Sequence, residues 1–252
     1  YMMNKDSKVR QILKKFNDQD GIYYWYRIKK EFMILKEAEG KKISLTFLNS
    51  KIKNLNIKSS KIYFDLGNIY KGFKEYNKSI ENYNLALEKI SKDSDSYADI
   101  LYRRGGSYER LKDYKNADKD LLLSLELSPD QPYVLNYLAY SWLERKIKIK
   151  QSMEMLLRAH EQKQTDPYII DSVGWAYYLT EDYVLAEKYL KSALLIMPED
   201  PVVNDHYGDV LWRLNMKLQA TYYWNAALSS EEAEEKLKKD INKKLLFGLK
   251  NS

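Results

Sequence analysis

The feature that most constrains the fold of this chain is a small residue that returns at intervals of 34 to 38 residues. Gly174 is one example, and it is followed by Tyr177, by small residues at Ala186 and Ala193, and by Pro198. The recurring small positions are Gly67, Gly105, Ala139, Gly174 and Gly208. A period of this length predicts an array of stacked repeats, because one such unit alone cannot bury its apolar face.

Each register also places a bulky side chain between two further small ones, which is the pattern of two helices in close contact. The bulky positions are Tyr83, Leu121, Leu156, Leu190 and Trp224. Small residues let helix backbones approach, and bulky residues on the neighbouring helix fill the groove between them. Pro132, Pro167 and Pro201 stand where a helix is predicted to begin, because the first helical residue needs no N–H.

Over residues 60–228 this pattern resembles the tetratricopeptide repeat. The resemblance implies an all-α fold, a right-handed superhelical solenoid of antiparallel helix pairs. Five repeats within residues 59–228 are expected at about 60–93, 98–131, 132–166, 167–200 and 201–228. The resemblance also implies a binding scaffold and not an enzyme.

The segments that flank the five repeats are predicted to be helical as well. Residues 1–58 are expected to form basic N-terminal helices, degenerate or truncated repeats, with one helix at 7–16 and helical periodicity on both sides of Gly40. In residues 229–252 a narrow apolar stripe predicts a C-terminal helix that caps the last repeat. The stripe consists of Ala233, Leu237, Ile241 and Leu245. A membrane-surface helix is the alternative, and the mixed charge of this segment argues against it.

Composition excludes several kinds of functional site. The chain has no Cys and two His, so thiolate chemistry and sulfur-bound metals are excluded and no cofactor is expected. No stretch approaches the roughly 18 apolar residues that a membrane span needs, so no transmembrane segment is expected.

Positive charge is concentrated at the start of the chain. Residues 1–60 hold 14 Lys and Arg against 6 Asp and Glu, whereas the remaining chain holds 28 against 30. Nucleic-acid binding by the whole chain is therefore not expected, and these Lys-rich N-terminal helices are the alternative site for RNA or an anionic surface.

The resemblance implies that a partner lies in the concave groove lined by the first helix of each pair. The aromatic residues expected there are Phe64, Tyr102, Tyr133, Tyr137, Tyr140, Tyr168, Trp175, Tyr178 and Trp212. The polar residues expected there are Asp65, Asn68, Arg103, Arg110, Asn136, Asp171, Asp205, His206, Asp209 and Arg213. Tyr and Trp offer a large contact area at low entropic cost, so we expect a peptide or protein partner and no small-molecule substrate. The alternative is that these rings pack between repeats.

Two more specific hypotheses for the groove receive less support from the residues. The family is known for a clamp on a C-terminal carboxylate, built from Lys and Asn, but the fifth position of the repeats carries no Lys. The residues at this position are Phe64, Tyr102, Asn136, Asp171 and Asp205. His206 stands beside Asp205 and is a candidate general base. Its neighbourhood is predicted to be helical and offers no Ser or Cys nucleophile, which favours a groove or capping histidine.

A finer resemblance concerns three stretches in the second half of the chain. They are LSPDQPYVLNYLAYSW, DPYIIDSVGWAYY and PEDPVVNDHYGDVLWR. These stretches resemble the C-terminal repeats of longer bacterial tetratricopeptide-repeat proteins, especially alphaproteobacterial ones, some of which are envelope lipoproteins that deliver substrates to a processing protease. The resemblance implies an adaptor in the periplasm or at the membrane periphery. The residues do not identify the partner or the oligomeric state.

Overall fold

The fold was described from a computed structural model, which covers residues 22–53 and 59–249 of the chain. Within these ranges the regular structure consists of twelve α-helices without a strand. The helices are α1 (Ile22–Ile52), α2 (Ser60–Gly72), α3 (Tyr76–Glu88), α4 (Asp95–Arg110), α5 (Tyr114–Leu127), α6 (Pro132–Glu144), α7 (Ile149–Gln162), α8 (Pro167–Leu179), α9 (Tyr183–Ile196), α10 (Pro201–Arg213), α11 (Lys217–Ser229) and α12 (Glu235–Phe247). The helix predicted for residues 7–16 lies outside the described residues. None of the twelve helices is long and apolar enough to cross a membrane.

The chain divides within α5 into two compact units, Tyr1–Asp120 and Leu121–Ser252. In the described part of the first unit, α2 packs against α3 and α3 packs against α4. Helix α1 is interrupted at Gly40, whose φ of 79° and ψ of −174° are not helical. Only glycine adopts such a conformation readily, because it has no Cβ.

One hydrophobic cluster of the first unit is formed mainly by α1 and the helix that follows it. Its buried side chains are Trp25, Ile28, Phe32, Leu48, Ile62, Leu66, Tyr70 and Phe73. Both parts of α1, before and after Gly40, contribute to this cluster. A hydrogen bond from Trp25 Nε1 to Asp65 Oδ2, 2.9 Å long, joins α1 to α2 inside the unit.

The second unit consists of three helix pairs and a final helix. Helices α6 and α7, α8 and α9, and α10 and α11 form the pairs, and successive pairs are in contact. The first helices of neighbouring pairs also touch, α6 with α8 and α8 with α10, while α12 packs against α11. The predicted all-α helical-repeat fold is confirmed.

The recurring small residues lie where the two helices of a pair approach each other most closely. A Cβ added to Gly174 would lie 2.6 Å from Cγ of Leu190, and one added to Gly208 would lie 2.5 Å from the Trp224 ring. Real Cβ atoms do not approach that closely, so these positions exclude larger residues. The 34-residue period of the sequence is therefore the period of these helix–helix contacts.

The turn inside each pair repeats the same backbone geometry. The second residue after the end of the first helix has a positive φ of 56° to 64°. The residue that follows it donates its N–H to a carbonyl five residues earlier. In the third pair, Glu181 has φ 64° and Asp182 N–H bonds Tyr177 O at 3.0 Å. This is the Schellman arrangement, which satisfies carbonyls at a helix end. The residues with positive φ are Lys74, Lys112, Lys146, Glu181 and Asn215.

Candidate interaction surfaces

A row of stacked rings runs across the first helices of the second unit. Trp175 on α8 stacks on His206 of α10, with ring centroids 4.1 Å apart and planes 12° apart. Its other neighbour is Tyr178, one turn later on α8, at 4.6 Å and 9°. Tyr140 on α6 extends the row, 6.4 Å from His206. Three successive first helices thus bring together four of the residues that the sequence predicted for a groove.

His206 is held inside this row by an acidic neighbour. Its Nδ1 lies 2.9 Å from Asp171 Oδ1, and both side chains are buried. Burial disfavours the charged ring, but the carboxylates of Asp171, Asp205 and Asp209 outweigh it and raise the pKa of His206. The imidazole is therefore fixed between Asp171 and Trp175.

Asp205 and Asp209 contact the last helix of the chain. Lys244 on α12 places its Nζ 2.8 Å from both carboxylate oxygens of Asp205 and 2.8 Å from Asp209. Trp224 Nε1 donates a hydrogen bond of 2.9 Å to Asp209 Oδ1. Burial lowers the pKa of Lys244, but the two carboxylates outweigh it and raise that pKa. The sequence does not single out Lys244, because nothing distinguishes it from the other Lys residues of a charged tail.

The C-terminal end of α10 is also in contact with the neighbouring helices. The Trp212 ring lies 5.2 Å from that of Trp224 and directly against Gly248, the residue after α12. Arg213 Nε donates to the hydroxyl of Tyr178 over 3.4 Å. The apolar side chains of α12 pack on the same cluster, with Ile241 fully buried and Leu237 and Leu245 partly buried. Within this unit, α12 therefore covers part of α10.

The first helices α6 and α8 remain more open. Tyr133 and Tyr168, one near the start of each helix, are 48% and 62% exposed. Asn136 and Tyr137 on α6 are partly buried. Asn136 Oδ1 and Trp175 Nε1 are buried and have no hydrogen-bond partner among the described residues. This part of the unit combines exposed rings with unsatisfied polar atoms.

In the first unit, the predicted residues fall into an anchored part and a charged part. Phe64 lies 6.1 Å from the Tyr83 ring, and Asn68 Oδ1 accepts a hydrogen bond of 2.7 Å from the Tyr83 hydroxyl. Tyr102 has the guanidinium of Arg103 5.2 Å from its ring centre. Arg103 and Arg110 are exposed. The structure adds Lys71 to this part, with Nζ 6.0 Å from the Tyr102 ring.

No group of three or more His, Asp or Glu side chains in residues 22–53 and 59–249 is placed to hold a metal ion.

Comparison with known proteins gives a partial match to one repeat family and a set of similar folds. The sequence model of the tetratricopeptide repeat matches residues 60–88 and 98–131. The TPR repeat-containing protein PA4667 of Pseudomonas aeruginosa is 34% identical over 110 residues, which are 44% of this chain and 18% of that protein. The chain therefore matches less than a fifth of the length of this relative.

Two solved structures show the same fold at low sequence identity. The thermophilic TPR protein TTC0263 of Thermus thermophilus superposes with a TM-score of 0.62 at 17% identity, over 75% of this chain and all of that one. PilW, described as a widely conserved type IV pilus biogenesis factor, has a TM-score of 0.61 at 21% identity, over 75% of this chain and 86% of that one. At these identities the likeness concerns the fold alone.

Proposed function

We propose that the chain, in which residues 60–88 and 98–131 match the tetratricopeptide repeat, is a non-enzymatic scaffold that holds a segment of another protein against the first helices of its repeats. Within the second unit, we assign this role to the faces of α6 and α8. The observation that carries the proposal is the row of rings formed by Tyr140, Trp175, Tyr178 and His206, with Tyr133 and Tyr168 exposed beside it. Rigid aromatic side chains are the commonest anchors of protein interfaces.

The unsatisfied polar atoms beside this row support an extended peptide as the ligand. Trp175 Nε1 is a donor and Asn136 Oδ1 is an acceptor, and both are buried on neighbouring first helices. A buried polar atom without a partner costs about 1–3 kcal/mol. A peptide backbone carries both a donor and an acceptor at nearly every residue, so a bound segment satisfies both atoms when the side chains that cover them move aside.

The role assigned to His206 is structural. Its Nδ1 is engaged by Asp171 and its ring face is covered by Trp175. A general base needs a reacting group within hydrogen-bond reach, and the groups around this ring are carboxylates and aromatic rings. We therefore propose that His206 fixes α8 to α10 and shapes the surface.

We further propose that the scaffold acts in the bacterial cell envelope. One observation supports this location: residues 98–228 resemble the C-terminal repeats of longer bacterial tetratricopeptide-repeat proteins, some relatives of which are exported envelope proteins. Fractionation of native cells tests it, since the proposal requires the protein in the envelope fraction and is contradicted by exclusive recovery with cytoplasmic markers.

Co-purification with exposed tyrosines removed tests partner binding. Tyr133→Ala and Tyr168→Ala change exposed side chains of α6 and α8, and Tyr222→Ala changes an exposed side chain of α11. We expect that a partner recovered with the unchanged chain is retained by Tyr222→Ala and reduced about tenfold by the other two changes together, because aromatic anchors contribute 1 kcal/mol or more. Equal recovery with all variants contradicts the proposal.

A further inference from the structure

The last helix of the chain, α12, has an exposed outer face as well as the inner face that packs on the second unit. The inner face carries Leu237, Ile241 and Leu245, which lie in the hydrophobic cluster of that unit. The outer face carries two lysines and then two large apolar side chains, at helical spacings of four, seven and eight residues. They are Lys239, Lys243, Leu246 and Phe247. All four are exposed, Leu246 by 76% and Phe247 by 81%.

The start of α11 brings a third exposed apolar side chain to the same corner of the second unit. Leu218 is 86% exposed, and Lys217 before it is exposed as well. Trp212 on α10 joins the two segments, because Lys217 Nζ lies 5.2 Å from its ring centre and Gly248 lies against the same ring. We call this surface the α12 corner, and it consists of Lys217, Leu218, Lys239, Lys243, Leu246 and Phe247.

The α12 corner lies in a part of the chain that is almost free of acidic residues. Residues 214–229 contain no Asp or Glu, and residues 236–249 contain five Lys and one acidic residue, Asp240. Asp240 lies 3.0 Å from Lys243 in a pair that is open to water, so it contributes little. The four Glu of this tail lie at 231–235, before α12 and at its first residue. The mixed charge that argued against a membrane-surface helix is therefore separated along the chain, with the acidic residues at one end and the apolar residues at the other.

We propose that the α12 corner docks on the surface of an anionic phospholipid bilayer. Single exposed apolar residues are ordinary on protein surfaces, whereas several that adjoin one another mark an interaction site. Interfacial helices place apolar side chains among the upper acyl chains, while the ammonium groups of Lys stay at the level of the lipid phosphates. The three apolar side chains of the corner insert in this way, and its three lysines contact the headgroups. The inference goes beyond the proposed partner surface, which lies on α6 and α8.

The sign of the charge favours a lipid surface over a second copy of the chain. A two-fold contact places the same surface on both copies, so two copies that met through the α12 corner would bring six lysines together. Like charges at close range oppose association. An anionic bilayer instead offers negative charge to every lysine of the corner.

Co-sedimentation of the full chain with vesicles tests the docking. The vesicles contain equal parts of dioleoylphosphatidylglycerol and dioleoylphosphatidylcholine, and vesicles of dioleoylphosphatidylcholine alone are the comparison. We expect binding to the mixed vesicles to be about tenfold or more tighter than to the neutral ones, and to weaken as the salt concentration rises from ~50 to ~500 mM. Absence of binding to the mixed vesicles overturns the proposal, and so does equal binding to both.

Removal of the apolar side chains tests their insertion. One variant carries Leu246→Ser and Phe247→Ser, and the matched control carries Leu195→Ser and Ile196→Ser, an exposed apolar pair at the end of α9. We expect the first variant to bind the mixed vesicles about tenfold or more weakly and the control to change less than twofold. Equal loss in the two variants shows non-specific adsorption of exposed apolar side chains and contradicts the proposal.

The lysines of α12 are tested in the same way. Lys239→Gln with Lys243→Gln removes two charges of the α12 corner, and Lys188→Gln with Lys191→Gln removes two exposed charges of α9. We expect about a tenfold loss of vesicle binding in the first variant and less than a twofold change in the second. An equal loss reports the net charge of the chain and rules out a defined corner.

A fluorescent label provides a readout of insertion that leaves the corner intact. The chain has no Cys, so a single introduced Cys carries a nitrobenzoxadiazole label without competition. Asn242→Cys places it one turn before Leu246, and Ser192→Cys places it at an exposed position of α9. On addition of the mixed vesicles, we expect the emission at position 242 to rise and shift to shorter wavelength, with no change at position 192. A label at 242 that does not respond in the vesicle-bound chain refutes the insertion.

Light scattering without lipid distinguishes a second copy from a bilayer. If the unchanged chain is a dimer that does not bind vesicles, and Leu246→Ser with Phe247→Ser makes it a monomer, the α12 corner joins two copies and the proposal is wrong. Circular dichroism of each variant confirms that it is folded.

These results separate the inference from the proposed function. The variant with Leu246→Ser and Phe247→Ser is expected to retain a partner that is held by α6 and α8, although its vesicle binding is lost. Failure of vesicle binding refutes only the lipid-docking corner, whereas unchanged partner recovery in the Tyr133 and Tyr168 variants refutes only the scaffold surface.

Discussion

The ammonium of Lys244 lies 2.8 Å from the carboxylate of Asp209, which joins the last helix of the chain to the first helix of the last repeat. Lys244 is only 18% exposed, and Asp209 is buried. Breaking a buried ion pair leaves a charge without compensation, which is far more costly than losing a surface pair. The docking of α12 therefore depends on this contact.

Replacing Lys244 is expected to loosen α12. We predict that Lys244→Met lowers the free energy of unfolding by about 3–5 kcal/mol, because Asp205 and Asp209 remain buried without their cation. Lys243→Met is the control, since Lys243 is 71% exposed and its change should stay within about 0.5 kcal/mol. Urea denaturation with hydrogen exchange of α12 measures both. Equal stability of the two variants contradicts the prediction.

The small position of the repeat is expected to tolerate no methyl group. Gly174→Ala should lower stability by about 1–3 kcal/mol, because the new Cβ meets Leu190 at 2.6 Å. Gly72→Ala is the matched change, since a Cβ at this helical position meets nothing within 4 Å. It should be neutral or stabilise by up to about 1 kcal/mol. Thermal denaturation of the two variants compares them, and a loss at Gly72 with none at Gly174 refutes the packing account.

These contacts show which parts of the structure are readable from the sequence. The close approach of Gly174 to Leu190 recurs at Gly67 and at Gly208 and leaves a periodic pattern. The caps Asp166 and Asp200 precede proline at helix starts, where each accepts N–H bonds from the first turn. The all-α repeat fold was predictable for that reason.

Pairings that occur once leave no such pattern. Lys244 reaches Asp205 across 39 residues, and Lys71 meets Arg103 across 32, each from among many similar charges. The sequence therefore predicted which residues lie on the first helices but not that Asp205 is covered by α12. Lys71 stands at one of the repeat positions that are assigned to the groove, so the repeat pattern itself places it among the groove residues.

The positive φ in the turns offers a way to stabilise the protein. Glu181 has φ 64°, a conformation that costs a residue with a Cβ about 1 kcal/mol or more. We predict that Glu181→Gly raises the free energy of unfolding by about 0.5–1 kcal/mol. The same change at Lys119, an exposed residue in the interior of α5, should lower it by about 1 kcal/mol. Denaturation curves that show the opposite signs are incompatible with the turn geometry.

The raised pKa of His206 predicts a pH dependence of stability. Its folded-state pKa lies above the ordinary value of 6.5, because Asp171, Asp205 and Asp209 favour the charged ring. Its contribution is therefore fully present below pH 6.5 and is lost as the pH rises through the folded-state pKa. We expect stability to decline over that window in the unchanged chain and less so in His206→Gln. NMR titration of the ring checks the cause, and a ring pKa below 6.5 contradicts it.

The central claim is that the first helices of the repeats hold a partner, and site-specific photocrosslinking in native cells tests it most directly. A photoreactive amino acid replaces Tyr168 on α8 in one variant and Tyr222 on α11 in the other, two exposed positions of the same residue type. The account predicts a discrete crosslinked partner from position 168 and none from position 222. Crosslinking from position 222 alone would place the partner on the second helices and contradict the account.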